Sequence, residues 1–347
     1  MSGGGVPAPL GLLLAPLGAL YAGASRLRAV AYARGWKASV RPPLPTLSIG
    51  NIAAGGTGKT PLLLHAVAWL ERHDARVGVL SRGYGGDEGR ILERRHPDAL
   101  LAEGADRVAG LKRLLDAAEP PEVLLLDDGF QHLRLRRDLD VVVLDATRPF
   151  GRCFPAGLFR EPGRALRRAD LVVLSRADLV DASARTRIWQ QVARHRVGCA
   201  PLPVVEGGVA LREVRAVAGD AALGVDALAG MEATLSAGIG NPGSFRRLCE
   251  DAGVRVCAVD WKRDHHAWTA EEAAALAARG PVLVTEKDAV KLRPFAPQDV
   301  WEVRVDWTFL HGGEHFEHLL GELHLPVRAS RIEPLWQAHD PHGRSVR

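Results

Sequence analysis

The feature that most constrains this chain is a glycine-rich stretch of twelve residues, from Gly50 to Pro61. It reads Gly-Asn-Ile-Ala-Ala-Gly-Gly-Thr-Gly-Lys-Thr-Pro. The apolar run 47–49 precedes it, and residues 62–70 follow with the character of a helix. A strand, a glycine loop, Lys-Thr and a helix in this order are typical of a phosphate-binding P-loop. The stretch therefore predicts a nucleotide-binding α/β fold.

The residue types of this stretch suit a polyphosphate with Mg²⁺. Glycines let several backbone N–H groups face one anion, and the positive end of the next helix faces it too. Lys59 would bind the β- and γ-phosphates, and the hydroxyl of Thr60 would bind Mg²⁺. The other expected phosphate-binding residues are Gly55, Gly56, Thr57 and Gly58. The strict pattern has glycine where this chain has Ala53, so a plain glycine turn before an ordinary helix is the alternative.

Apolar runs alternate with helix-like segments along the first half of the chain. The runs are residues 76–80, 123–126, 139–144 and 171–174. Such alternation indicates a parallel sheet covered on both faces, with ligands at the carboxyl ends of its strands. After residue 178 the composition of the sequence changes. Later strand-like runs at 255–259 and 282–285 indicate a second, smaller α/β unit.

We therefore predict an α/β fold with a P-loop NTPase-type, mostly parallel sheet flanked by helices. The chain has 347 residues, enough for more than one domain. The expected segments are a membrane-associated N-terminal helix region at 1–40, a P-loop core at 41–230, a smaller C-terminal α/β domain at 231–330 and a loose tail at 331–347.

The first 25 residues carry no charged side chain, and no Asp or Glu precedes Glu71. Arginines begin at Arg26, directly after the apolar stretch 6–24. Three prolines in that stretch disfavour a straight spanning helix, and the start lacks the positive charge of a signal peptide. This order predicts a segment that dips into a membrane surface, with arginines on lipid phosphates. A docked core helix and a cleaved signal peptide are the alternatives.

Two pairs of carboxylates are candidates for chemistry. Asp127 and Asp128 follow an apolar strand, which is how a Mg²⁺ ligand is presented beside a P-loop. A turn stabilised by the same carboxylates is the other interpretation. Asp87 and Glu88 follow a Gly-rich loop, where a carboxylate could accept a proton from an attacking hydroxyl, or begin a helix. Glu88 is also a candidate Mg²⁺ ligand, with Thr60, Asp127 and Asp128.

Several other polar motifs leave alternatives open. Asp264-His265-His266 suggests a histidine held by a carboxylate, or a hydrogen-bonded surface histidine. The basic cluster that includes Arg160 suits a substrate phosphate, lipid head groups or a solvated face. The motif 285–288, Thr-Glu-Lys-Asp, is a nucleotide-contacting turn or a helix cap. Four cysteines without a Cys-x-x-Cys spacing indicate neither a zinc site nor a disulfide framework.

Taken together, these stretches resemble one family, the tetraacyldisaccharide 4′-kinases, also called lipid A 4′-kinases. The resembling motifs occur in the family's order between about residues 10 and 330, and their combination is specific. They are Gly50-Asn51, 55–61, Ser81-Arg82-Gly83-Tyr84-Gly85, Gly86-Asp87-Glu88, 127–132, Pro155-Ala156-Gly157, Arg160-Glu161-Pro162, 239–242, Asp264-His265-His266 and 285–291. The chain lacks the insertion that many members carry between Gly85 and Gly86.

The resemblance implies transfer of the γ-phosphate of ATP, with Mg²⁺, to the 4′-hydroxyl of a lipid A disaccharide 1-phosphate. It implies that Asp87 is the base, that His265 assists it and that Lys59 acts at the phosphates. Asp127, Asp128, His132 and Glu161 match family positions that matter for activity. Of these, we predict Asp128 as a catalytic residue, and His132 and Glu161, together with Arg160, as substrate-binding residues. The resemblance further implies a monomer on the cytoplasmic face of the inner membrane, with no nucleic-acid partner. A membrane-associated P-loop ATPase switch, without a lipid acceptor, is the alternative function.

Overall fold

The structure of the protein, a computed structural model, describes residues 8–83, 86–264 and 266–329. These residues form two compact units. The larger unit comprises residues 8–82, 98–207 and 309–329. The smaller unit comprises residues 83, 86–97, 208–264 and 266–308. The domain boundaries at residues 41, 231 and 331 stay predictions.

Helices and strands alternate along the chain. The first half contains α1 (Ala8–Leu13), α2 (Ala15–Ala33), β1 (Thr46–Gly50), α3 (Lys59–Arg72), β2 (Val77–Ser81), α4 (Asp87–Arg95), β3 (Leu100–Glu103), α5 (Arg107–Leu115), β4 (Val123–Asp127), β5 (Leu139–Asp145) and β6 (Leu171–Ser175). The second half contains α6 (Ala182–His195), β7 (Val205–Ala216), β8 (Ala222–Gly224), β9 (Glu232–Ala237), α7 (Pro242–Asp251), β10 (Arg255–Trp261), α8 (Ala270–Ala277), β11 (Val282–Thr285), α9 (Glu286–Leu292), β12 (Val300–His311) and α10 (Gly313–Ala329).

The larger unit contains a parallel sheet with the strand order β6-β5-β1-β4-β2-β3. Every residue of β1, β2, β4 and β6 is buried, as expected for strands covered on both faces. The mostly parallel α/β fold predicted from the sequence is confirmed. In the register of β1 with β4, Ile49 lies opposite Asp127. The glycine loop (residues 50–60) and Asp127 therefore emerge at the same edge of the sheet.

Helix α2 packs on the larger unit through Gly18. A Cβ atom built on Gly18 would lie 3.0 Å from both the Cβ of Ala156 and the carbonyl oxygen of Cys153, so a side chain here would force the contact apart. Leucines elsewhere on α1 and α2 are exposed: Leu12, Leu13, Leu17 and Leu20. Among the described residues, no helix combines the length and the apolar character needed to cross a bilayer.

The smaller unit contains the strand order β10-β9-β11-β12. Its interior includes charged groups that neutralise one another. Glu302 is 1% exposed and contacts the guanidinium groups of Arg94, Arg293 and Arg304 at 3.0, 2.6 and 3.1 Å. Removing any one of these arginines would leave the buried carboxylate of Glu302 with less compensating positive charge, which would lower the stability of the folded protein.

Glu286, at the start of α9, is expected to make the stability of the protein depend on pH. Burial raises the pKa of Glu286 to about 7, and Arg95, 3.5 Å away, offsets this only in part. Above pH 4.5, the ordinary pKa of this carboxyl, Glu286 releases its proton in the unfolded chain but keeps it in the folded protein. The free energy of unfolding therefore falls as pH rises from 4.5 through 7. The loss is at most about 3 kcal/mol.

The matched variant Glu286→Gln keeps the shape of the side chain and removes the titration. Unfolding in urea at several pH values between 4.5 and 8 compares it with the natural chain. As pH rises, the free energy of unfolding of Glu286→Gln should increase relative to that of the natural chain. A difference that stays constant over this range would contradict an elevated pKa for Glu286.

Candidate active site

The glycine loop connects β1 to α3 and leaves its outer side open. Gly58, the residue before α3, has φ of +84°, and Gly55 has φ of +98°. These are left-handed conformations that glycine adopts without strain. A Cβ atom on Gly55 or Gly56 would meet no heavy atom within 4 Å in the part of the chain that the structure describes. The first turn of α3 carries no acidic residue, so its free N–H groups can bind an anion.

Three side chains near the carboxyl ends of β1 and β6 hold the loop in place. The amide of Asn51 donates a hydrogen bond to the Thr57 hydroxyl at 2.9 Å. The Ser175 hydroxyl donates to the Thr57 carbonyl oxygen, and the Arg176 guanidinium donates to that of Gly56, both at 2.7 Å. Arg176 in turn contacts the carboxylate of Asp145. The loop is therefore held by three hydrogen bonds, two to its carbonyl oxygens and one to the Thr57 hydroxyl.

Three of the predicted site residues meet at the carboxyl end of the sheet. The ammonium group of Lys59 lies 3.4 Å from the carboxylate of Asp128, and the guanidinium group of Arg160 lies 2.5 Å from it. Burial acts to raise the pKa of Asp128, but the charges of Lys59 and Arg160 outweigh it and lower the pKa. Asp128 is therefore an anion between two cations.

Asp127 is buried at the end of β4, next to Asp128. Its carboxylate accepts a hydrogen bond from the Ser81 hydroxyl at 3.3 Å, and its carbonyl oxygen accepts one from Arg107 at 3.2 Å. Arg107 is only 4% exposed. The sequence had not marked Ser81 as a neighbour of Asp127, nor Arg107 as part of the site.

The oxygen donors of Thr60, Asp127 and Asp128 are of the type that Mg²⁺ prefers. Among the described residues, no group of three or more His, Cys, Asp or Glu side chains forms a metal centre. Mg²⁺ usually takes one or two protein carboxylates and completes its octahedron with water and substrate phosphates. The residues present therefore fit this ion.

Glu161 lies in the same region but is engaged in the fold. It is 4% exposed, and both of its oxygens accept hydrogen bonds from Arg168, at 2.8 and 2.9 Å. The amide of Gln131 donates to Glu161 and to the carbonyl oxygen of Asn51, each at 2.9 Å. These contacts link Glu161 to the start of the glycine loop.

His132 lies in a strongly positive environment. Burial, followed by the charges of Arg107, Arg137 and Arg28, lowers the pKa of His132 from 6.5 to about 4. Its imidazole is therefore neutral at pH 7, with one nitrogen that donates and one that accepts hydrogen bonds.

This shift of His132 can be measured directly. NMR titration of the imidazole signals should show one histidine whose midpoint lies near pH 4, against 6.5 for an ordinary histidine. The variant His132→Gln assigns the signal by its disappearance. A midpoint near 6.5 would contradict the burial of His132 beside the positive charges of Arg107 and Arg137.

Asp87 and Glu88 belong to the smaller unit, where they form the first turn of α4. The residue before them, Gly86, has φ of +67°. Asp87 is 2% exposed, and its carboxylate lies 2.8 Å from the ammonium group of Lys291. Glu88 lies 2.5 Å from the ammonium group of Lys287. The helix start, one of the two interpretations of this pair, is observed.

The predicted residue His265 lies outside the described residues. Its neighbour His266 is described, and the Nε2 atom of His266 lies 2.9 Å from the carboxylate of Glu272. Glu272 also completes the capping box of α8 with Thr269. The loop after β10 is therefore tied to the start of α8.

Comparisons with known proteins agree with one another. The profile of the family described as tetraacyldisaccharide-1-P 4′-kinase matches residues 10–88 and 85–324. A tetraacyldisaccharide 4′-kinase of Anaeromyxobacter sp. (strain Fw109-5) is 39% identical, in an alignment that covers 89% of this chain and 91% of that protein. One of Pseudomonas aeruginosa (strain LESB58) is 36% identical, in an alignment that covers 85% of this chain and 88% of that protein.

A solved structure is similar as well. It is the crystal structure of the "apo" form of LpxK from Aquifex aeolicus in complex with ATP. The TM-score is 0.72 at 26% sequence identity, and the match covers 90% of this chain and 99% of that one.

Proposed function

This chain belongs to the tetraacyldisaccharide 4′-kinase family, and we propose that it transfers the γ-phosphate of ATP to the 4′-hydroxyl of a tetraacyldisaccharide 1-phosphate in lipid A biosynthesis. The observation that carries this proposal is the cluster of Lys59, Asp128 and Arg160 beside the open glycine loop. Phosphoryl transfer requires positioning and charge neutralisation more than covalent chemistry. A loop of free N–H groups with two cations and a carboxylate supplies both.

The glycine loop acts as a P-loop in this proposal. Residues 55–58 hold the phosphates through their N–H groups, and Lys59 neutralises charge on the β- and γ-phosphates. Mg²⁺ would be held by Thr60, Asp127 and Asp128, with Glu88 as a further candidate, and would supply charge neutralisation when bound. When ATP is present, Lys59 exchanges part of its contact with Asp128 for phosphate oxygens.

Asp87 is proposed as the general base and His265 as its assistant. An ionised carboxylate can accept the proton that the attacking 4′-hydroxyl loses. His132, Arg160 and Glu161 are proposed to contact the disaccharide substrate. The neutral imidazole of His132 suits a sugar hydroxyl, since it can donate or accept a hydrogen bond, and Arg160 suits a phosphate.

The position of the new phosphate tests this proposal. Purified protein is incubated with ATP, Mg²⁺ and a tetraacyldisaccharide 1-phosphate, and the product is examined by phosphorus NMR and mass spectrometry. We expect a second phosphate monoester, correlated with the proton on carbon 4′. A product phosphorylated at another hydroxyl, or an unchanged acceptor with ATP consumed, would contradict it.

The N-terminal helices are proposed to hold the protein on the cytoplasmic face of the inner membrane, as a monomer without a nucleic-acid partner. Exposed leucines on α1 and α2 are followed by arginines from Arg26 onward. An apolar surface edged by basic residues binds an anionic membrane by both burial and charge. Such an anchor would bring the catalytic site to an acylated substrate.

Membrane binding predicts a specific effect of charge on α2. Leu20 is 70% exposed, and Leu20→Asp should reduce sedimentation of the protein with anionic phospholipid vesicles by several-fold. Val197 is equally exposed at 70%, so Val197→Asp is the matched control and should sediment like the natural chain. Equal sedimentation of all three proteins would contradict the anchor.

A further inference from the structure

Helix α9 and its preceding residue contain the motif Thr285-Glu286-Lys287-Asp288, which the roles above leave unused. We propose that α9 is a positioning element for catalysis, in which Lys291 fixes the carboxylate of Asp87 and Asp288 fixes two loops of the same unit. One of these loops carries Asp264 and His266. The inference rests on the proposed role of Asp87 as the base.

Two lysines of α9 pair with two successive carboxylates of α4. Lys287 and Lys291 are four residues apart, so they lie on the same side of the helix. Lys291 contacts Asp87 at 2.8 Å and Lys287 contacts Glu88 at 2.5 Å. The Asp87 side chain is 3% exposed and that of Lys291 is 15% exposed, so solvent screens their pair weakly. The start of α4 is therefore held by charge from one face of α9.

Asp288 lies on the same helix, between the two lysines in sequence, and it is fully buried. Its carboxylate accepts hydrogen bonds from the backbone N–H of Gly238 at 3.0 Å, the indole N–H of Trp268 at 3.1 Å and the Thr285 hydroxyl at 2.6 Å. Gly238 begins the loop after β9, and Trp268 lies near the end of the loop that connects β10 to α8. The three donors satisfy the hydrogen-bonding needs of the buried Asp288 carboxylate, and the carboxylate in turn fixes the position of each donor.

Close packing makes this arrangement rigid. A Cβ atom on Gly238 would lie 3.0 Å from the carbonyl oxygen of Arg263 and 3.1 Å from the carboxylate of Asp288. Ala289 and Leu292 of α9 are fully buried. The helix cannot shift without disturbing these contacts, so it holds Asp87 and both loops in a fixed arrangement. A base must be held within a fraction of an ångström to work well, and this arrangement meets that need.

The variant Lys291→Met tests the inference, because methionine keeps the length and packing of lysine without its charge. We expect kcat to fall about tenfold while KM for ATP and for the disaccharide changes little. Lys291→Arg restores the charge and should recover most of the activity. Arg279→Met is the matched control, since it removes an ion pair with Asp260 elsewhere in the smaller unit and should leave kcat unchanged.

Two results would overturn the role of Lys291. One is a higher KM with unchanged kcat, which would make Lys291 a substrate-binding residue. The other is an equal loss in Lys291→Met and Lys291→Arg with a lower melting temperature in both, which would make its role structural.

A double variant separates this inference from the proposed role of Asp87. If Lys291 acts through Asp87, Lys291→Met should add less than about twofold to the loss caused by Asp87→Asn. Multiplied losses would show that Lys291 acts elsewhere, and would overturn the inference while Asp87 remains the base. Near-normal turnover in Asp87→Asn alone would instead refute the base, and the inference with it.

Discussion

Replacing Lys59 with alanine is expected to lower turnover by about 10²-fold or more. Lys59 is the first residue of α3, and its ammonium group lies at the mouth of the open glycine loop, 3.4 Å from Asp128. In the proposed mechanism it neutralises charge that grows on the transferred phosphate. Alanine supplies no such charge, and water replaces it poorly in a partly buried site, where the Lys59 side chain is 13% exposed.

The fold should survive this change, since Asp128 keeps its contact with Arg160. Steady-state kinetics and a melting curve of Lys59→Ala separate lost catalysis from lost structure. Lys112→Ala removes an exposed lysine from α5 and is the control for a general effect of charge. Turnover of Lys59→Ala close to that of the natural chain would contradict the P-loop role.

Replacing Asp87 with asparagine is expected to lower kcat by about 10²-fold or more while ATP binding is retained. Asparagine has nearly the same shape, but its amide cannot accept the proton of the attacking hydroxyl. The glycine loop lies in the larger unit and Asp87 lies in the smaller one, so the substitution leaves the loop itself unchanged. The loss should therefore appear in kcat and not in the affinity for ATP.

Binding of a fluorescent ATP analogue, measured beside turnover, provides the test for Asp87→Asn. Asp251→Asn is the matched control, because Asp251 is an exposed aspartate at the end of a helix of the smaller unit. Kinetics that differ little between Asp87→Asn and Asp251→Asn would remove Asp87 as the base. Loss of nucleotide binding in Asp87→Asn would assign it to the ATP site instead.

The central strands could be predicted from the sequence because burial on both faces leaves an unbroken apolar run. The run 123–126 became β4 (Val123–Asp127), and 171–174 became β6 (Leu171–Ser175). Strand β3 was missed, since only one of its four residues is buried and its sequence, Leu-Leu-Ala-Glu, resembles a helix. Strand β7 was missed because its residues 209–213 alternate between half-buried and exposed positions and its first half contains two glycines.

The candidate site was predictable where a motif presents side chains at the end of a strand. The contact of Lys59 with Asp128 joins two motifs about seventy residues apart, and only the parallel register of β1 and β4 brings them together. Arg107, Ser175 and Arg176 could not be found in this way. Their roles come from burial and from hydrogen bonds to carbonyl oxygens, and an arginine on a helix looks the same in sequence whether it is buried or solvated.

The partition of labelled phosphate between lipid and water distinguishes a lipid kinase from an ATPase. Purified protein receives ATP labelled at the γ-phosphate, Mg²⁺ and a tetraacyldisaccharide 1-phosphate, and the label is counted in the lipid and in free phosphate. A kinase with the proposed site should place nearly all the transferred label in the lipid, and Lys59→Ala should abolish that signal. Label released only as free phosphate, at the same rate with and without the lipid, would contradict the account and favour a membrane-associated ATPase.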